Sequence, residues 1–201
     1  WLTEVSAVLQ AWYPGQEAGN AIADVLFGDA EPGGRLPQTF PVRYADNPAF
    51  SQDPEIYPGL DGKVRYEEGL FIGYRHYDKS GTAPLFPFGF GLSYSAFTWS
   101  DVRISADGND FIAEIDVTNT GSRGGSEVVQ IYVEDNKPLL ARPLRELKGF
   151  AKLWLSPGQT VKASIRLTNR SFAVFDTDYR GWIARSGGFK IIAAKNAAEI
   201  A

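Results

Sequence analysis

The run from Arg65 to Tyr94, RYEEGLFIGYRHYDKSGTAPLFPFGFGLSY, limits the fold of this chain more than any other stretch. Its last part, PLFPFGFGLSY, sets three phenylalanines among two glycines and two prolines. Proline removes a backbone donor and fixes φ, and glycine weakens an element interior, so neither a helix interior nor a central strand fits that stretch. The expected structure is an aromatic strand over the first half, a polar turn, and then a rigid, aromatic-packed connector. Such a connector implies folded units on both sides.

The flanks differ in character, as two units require. Before the run, Val5, Val8, Leu9 and Trp12 recur at helical spacing after Thr3, which predicts a helix over 3–12. Tyr13-Pro14-Gly15 stops it, and a second helix is predicted over 16–27, closed by Gly28. Residues 42–62 carry Pro48, Pro54 and Pro58 without periodicity and read as a long surface loop, a kind of segment that often serves function.

After the run the period changes to two. Phe111, Ala113, Ile115 and Val117 alternate with their neighbours, as do Val129, Ile131 and Val133, and Val161, Ala163, Ile165 and Leu167. Shorter strands are expected at 98–104, 172–175, 182–184 and 189–193. Turn signals separate them at Asp107-Gly108-Asn109, Gly121–Gly125, Ser156-Pro157-Gly158 and Gly187-Gly188. This pattern predicts a β-sandwich of the immunoglobulin or fibronectin type III class. The fold class is thus an α/β fragment followed by an all-β sandwich, divided as 1–64, a connector at 65–96, and 97–201.

Composition removes several functions. The chain has no Cys, which excludes disulfides, thiolate zinc sites and a cysteine nucleophile. A net charge of −4 without a basic tract gives no footing for nucleic acid. No apolar run is long enough to span a bilayer, and no signal peptide is visible, so no membrane partner is expected and the compartment stays open. There is also no Met, even at position 1, where Trp1 stands; the expectation is a segment of a longer polypeptide.

Three stretches resemble glycoside hydrolase family 3. WYPGQEAGNAIADVLFGDAEPGGRLPQTFP is similar to the close of that family's α/β-sandwich domain. YEEGLFIGYRHYD with FPFGFGLSYSAF resembles the segment leading to its fibronectin type III-like domain. RPLRELKGFAKLWLSPGQT, FAVFD and Trp182 resemble the second half of that β-domain. The resemblance runs the length of the chain in the family's order. It implies a retaining, exo-acting β-glucosidase, with β-xylosidase as the neighbouring specificity, no cofactor, and β-linked glucosides or cello-oligosaccharides as substrates.

It further implies an Asp nucleophile in an N-terminal barrel and an acid/base Glu in the α/β-sandwich domain. A retaining pair stands roughly 5–5.5 Å apart. Neither position matches a residue of this chain, so no catalytic residue is assigned and the segment alone is expected to be inactive. Its expected partners are the barrel portion of the same enzyme and a second copy in a homodimer. In some members of the family the barrel follows the β-domain. A free-standing β-sandwich binding module is the competing class, but the incomplete α/β unit in the first 95 residues argues against it.

Local candidates remain. Glu67 and Glu68 are adjacent, so on a strand they point to opposite faces. Asp53 and Glu55 could share a face of the 42–62 loop, whereas Asp176 and Asp178 read as turn residues. Glu17 opens a helix, where a carboxylate can cap backbone N–H groups, and its loop could alternatively line a sugar pocket. His76, the single histidine, lacks metal-ligating company, so no metal is expected, and packing is its simplest role. Trp12, Tyr13, Tyr57, Tyr66, Tyr74 and Tyr77 could stack on sugar faces, although buried aromatics more often serve packing. Tyr57, in the long loop, and Glu17 are the two substrate-binding candidates. GSRGG at 121–125 lacks the Lys and helix of a phosphate loop and reads as a β-turn connection.

Overall fold

A computed structural model describes residues 1–199. Its β-rich half holds nine strands: β1 (Phe97–Trp99), β2 (Arg103–Asp107), β3 (Asp110–Asn119), β4 (Gly125–Asp135), β5 (Arg145–Leu155), β6 (Thr160–Leu167), β7 (Val174–Asp176), β8 (Gly181–Ile183) and β9 (Phe189–Ala194). In one sheet, β3 pairs antiparallel with β6 on one edge and with β1 and β2 on the other. The second sheet has the antiparallel order β5-β4-β9, and β7-β8 forms a separate hairpin.

Alternation decides which side chains meet between the sheets. Ala113, Ile115 and Val117 of β3 and Ala163, Ile165 and Leu167 of β6 point inward. They pack against Val129, Ile131 and Val133 of β4, with Leu155, Phe172 and Ala193 completing the core. Val117, Val129, Ile131, Leu155 and Leu167 are fully buried. At about 1.5–3 kcal/mol for each fully buried aliphatic side chain, this cluster is the main stabilising element of the β-half.

Strand β5 was not anticipated, and its geometry explains why. Its pairing with β4 shifts at Ile131/Tyr132, so Gly149 faces Ile131 while Leu147 faces Tyr132. Lys148 is the extra residue of a β-bulge. Beyond the bulge Leu153 packs on the main core, whereas Leu147 packs on the other face with Tyr132. The period of two is therefore broken within the strand. The expected strand 98–104 also divides into β1 and β2, because Ser100 turns to bond the Asp116 amide through its hydroxyl. Residues 169–172 form a 3-10 turn ahead of β7, where a strand was expected from 172.

The first 94 residues hold two α-helices, α1 (Ala18–Phe27) and α2 (Tyr74–Ser80), with 3-10 turns at Leu2–Glu4 and Tyr44–Asp46. The helix expected over 3–12 is absent. Val5 is already extended, and Val5, Val8, Leu9 and Trp12 are each more than two-fifths exposed. Helical spacing without a surface to bury the apolar stripe does not hold a short helix together.

The aromatic strand expected at the start of the Arg65–Tyr94 run is absent: residues 65–73 are irregular, and helix α2 follows over Tyr74–Ser80. Gly73, at φ 52°, supplies its entry and Gly81, at φ 67°, its left-handed exit. His76 is therefore helical, edge-on to Tyr77 with ring centroids 5.3 Å apart. Glu67 and Glu68 lie in irregular chain before the helix, so the opposite-faces argument has no strand to act on.

The connector itself pairs backward onto the first unit. Leu36 N–H donates to the Phe90 carbonyl at 2.9 Å, Gly89 N–H to Leu36 at 2.8 Å, and Phe40 N–H to Phe86 at 2.8 Å. Gly89, at φ 83°, lies so close to the Gln130 side chain that no Cβ would fit. Phe88 stacks on Tyr74 at 5.5 Å, and Tyr74 meets Tyr132 edge-on at 5.6 Å. The connector thus lies across the outer face of β4.

Candidate functional site

The 42–67 segment is irregular but cross-braced. Arg65 is its hub, binding Asp53 at 3.0 Å, Glu55 at 2.6 Å and Glu67 at 2.8 Å. Asp53 also accepts the Glu55 amide at 2.9 Å, and the Arg65 amide donates to the Glu55 carbonyl at 2.8 Å. Arg43 closes the other end on Asp46 at 2.6 Å, which holds that carboxyl below its ordinary range. Asp53 and Glu55 do converge, but on a guanidinium. Such carboxylates are charge-assisted braces and not a general acid/base pair.

Tyr57 is half exposed in this frame. Tyr44 lies 6.4 Å from its ring centroid and meets Phe50 edge-on at 5.3 Å. The three rings make a part-exposed aromatic cluster in the same segment as the Arg65 network. Flat apolar faces beside charged hydrogen-bonding groups suit a polyol ring, whose C–H face is apolar and whose edge is polar.

Glu17 occupies the residue before α1 without capping it. Its carboxylate accepts from the Asn20 side-chain amide at 2.7 Å, while its backbone carbonyl accepts from Ala21. The capping role expected of the carboxylate is therefore replaced by a side-chain contact within the first turn. Asp176, the last residue of β7, accepts the Asp178 and Tyr179 amides at 2.9 Å, and Asp178 lies in the turn that follows. In the 121–125 loop, Arg123 donates to the Gly28 carbonyl, joining that loop to the end of α1. Among the described residues no group of three His, Asp or Glu could hold a metal.

The strongest polar contacts tie the two halves together, and sequence spacing gave no sign of them. Arg145, buried on β5, forks onto Asp78 of α2 at 2.7 and 2.9 Å and donates to the Ala197 carbonyl at 2.6 Å. Its neighbour Glu146 receives Arg142 at 2.8 Å, Arg75 at 3.3 Å and Lys148 at 3.4 Å. Burial alone would raise the Glu146 carboxyl, yet these three cations together hold it below its ordinary range. Arg35 reaches the buried Glu127 at 3.5 Å, where burial outweighs the cation and pushes that carboxyl up. Glu31 accepts the Ser126 hydroxyl at 2.9 Å, where Gly33 passes too close to Ser126 to carry a side chain. The pairs that join the two halves, Asp78 with Arg145, Arg75 with Glu146, Arg35 with Glu127 and Glu31 with Ser126, lie 67 to 95 residues apart, beyond any local pattern.

Comparison with known proteins follows the same division. The glycosyl hydrolase family 3 C-terminal domain model matches residues 1–94, and the fibronectin type III-like domain model matches 127–197. A β-glucosidase of Rhizobium radiobacter is 53% identical over the whole chain, which covers 25% of that protein. The thermostable β-glucosidase B of Acetivibrio thermocellus is 42% identical, again over the whole chain and 26% of its own length. Among solved structures, the β-glucosidase DesR of Streptomyces venezuelae, in complex with D-glucose, superimposes with a TM-score of 0.94 at 34% identity. A Kluyveromyces marxianus β-glucosidase gives 0.93 at 37%. All of this chain is covered in both, against 26% and 24% of those chains. The chain spans about a quarter of the length of the relatives it matches.

Proposed function

The chain belongs to glycoside hydrolase family 3, as the C-terminal portion of such a protein, and from that premise we propose that the protein is a retaining, exo-acting β-glucosidase. Its substrates are glucosides with a terminal non-reducing β-D-glucosyl residue. The observation that carries this reading is the end-to-end match, at 53% identity, to a protein named a β-glucosidase. Both catalytic carboxylates lie in the portion outside this chain. The contribution of residues 1–64 is the end of the catalytic α/β domain, that of 65–96 the joint, and that of 97–201 the accessory sandwich.

Within this chain, Tyr57 is the residue we place nearest to sugar. Its half-exposed ring, fixed beside Tyr44 and Phe50, supports a role at the rim of the pocket. Glu17, held by Asn20 in the loop before α1, is the second such residue. A homodimer is part of the same proposal.

The test is turnover of an aryl β-D-glucoside by the full-length protein, beside the 201-residue segment. Full-length turnover with an inert segment is the expected result. Turnover by the segment alone would overturn the assignment of the chemistry elsewhere. In the full-length protein, Tyr57→Ala should raise KM about tenfold, the loss of one stacking contact of about 1.4 kcal/mol, and leave kcat nearly unchanged. An unchanged KM would remove Tyr57 from the site.

A further inference from the structure

The outer face of the β5-β4-β9 sheet is covered over β4 but bare over β5. Ser126, Val128, Gln130 and Tyr132 of β4 are buried there, with Glu31, Gly89 and Phe88 among the groups lying over them. In the adjoining positions of β5, Trp154 pairs with Ser126 and Phe150 with Gln130. Their side chains leave the same face and stay 61% and 67% exposed. The two rings sit four residues apart, about 13 Å along the strand.

This bare edge continues onto the first unit. Arg123 binds the Gly28 carbonyl at the end of α1, and the next residue, Gly124, lies against the Trp154 ring with 3.1 Å to its would-be Cβ. Phe27, the last residue of α1, is 85% exposed. Phe27 and Trp154 therefore flank one seam, bridged by the 123–124 turn. Exposed large aromatics adjoining a packed interface mark where that interface extends.

We propose that Phe27, Phe150 and Trp154 form a seat for the N-terminal portion of the same polypeptide, which thereby clamps the β-sandwich beyond the joint. Two observations select that occupant. The seat is continuous with an intramolecular interface, and relatives carry about three times as much chain again outside the matched quarter. This rests on the family reading, but needs only the longer chain and no particular activity.

The test is hydroxyl-radical footprinting of the full-length protein at low concentration, with each residue compared with itself in the urea-unfolded state. Phe27, Phe150 and Trp154 should be oxidised about tenfold more slowly than when unfolded, because a desolvated interface core excludes water. Trp182, half exposed on β8, should keep most of its reactivity. Trp154→Glu should then restore reactivity at Phe27 across the seam while Trp182 is unmoved. Wild-type Trp154 that stays as reactive as Trp182 overturns the proposal. So does protection that appears only as protein concentration rises, which assigns the seat to a second copy. Glucoside turnover is measured on the same sample, so a protein with a protected seat and no turnover would fail the activity reading alone.

Discussion

The two halves of the chain bury their apolar residues in opposite ways. In the β-sandwich, Val117, Val129, Ile131, Leu155 and Leu167 are wholly buried, and alternation places each of them against the facing sheet. In the first 94 residues no large apolar side chain is fully buried; Tyr77, at 7% exposure, comes nearest, and it belongs to the helix packed on the sandwich. Helix α1 buries no residue completely. The sandwich closes a core of its own, while the first unit takes its order from the sandwich on one side and offers apolar surface on the other. That asymmetry separates a self-sufficient domain from the end of a larger one.

The largest test of the contrast lies where the halves meet. Asp78→Ala leaves Arg145 buried without its carboxylate, and removing one partner of a buried pair costs about 3–5 kcal/mol. Denaturant melts should show this loss, and a loss below about 1 kcal/mol would mean the joint is solvated like a surface pair. Inside the sandwich, Ile131→Ala should cost about 2–5 kcal/mol through lost burial and the cavity left behind. Phe88→Ala should cost less, about 2–3 kcal/mol, because Phe88 is only partly buried against Tyr74 and Tyr132. If it matched Ile131→Ala, the joint would be as well packed as the core.

A pH titration refines the picture of the same joint. Glu146 is held below its ordinary carboxylate range in the folded protein, so it stabilises the fold above that range. The contribution is lost as pH falls from the ordinary carboxylate range through the lowered folded value. The stability gap between wild type and Glu146→Gln should be widest at neutral pH and close as the solution is acidified through that window. A wild type less stable than Glu146→Gln at neutral pH, and gaining on it as the solution is acidified, would show that burial, and not Arg142, Arg75 and Lys148, dominates at this carboxyl.

Legibility in the sequence follows the same asymmetry. Strands β3, β4, β6 and β9 could be read because one face of each meets a facing sheet, which enforces alternation. Strand β5 could not: the bulge at Lys148 reverses its faces, and Phe150 and Trp154 place aromatics where a solvated strand shows polar residues. Helix α2 was hidden because GYRHYDKSG is aromatic enough for a strand, and only the bracketing glycines betray a single helical segment. The spacing of Val5, Val8, Leu9 and Trp12 misled in the other direction, since periodicity describes a face but supplies no surface to bury it. In the candidate site, Tyr57 was visible as an aromatic in a long loop. Its ring partners and the three carboxylates on Arg65 depend on how that loop folds back, which no local pattern records.

The smallest expected effect is the most direct probe of the difference between the halves. Leu26 lies on α1 and is 62% exposed, so in the 201-residue chain Leu26→Ala removes little burial and installs a better helix former. Its effect on stability should fall within about 0.5 kcal/mol, as for surface substitutions generally. In the full-length protein the same change should cost about 2–3 kcal/mol if further chain covers α1, because a covered leucine leaves a cavity when truncated. Equal, small effects in both would mean that α1 remains an outer helix and that its apolar side chains face solvent in the full-length protein. A large effect already present in the short chain would instead mean that α1 finds its packing within these residues, and the contrast between a closed sandwich and an open first unit would fall.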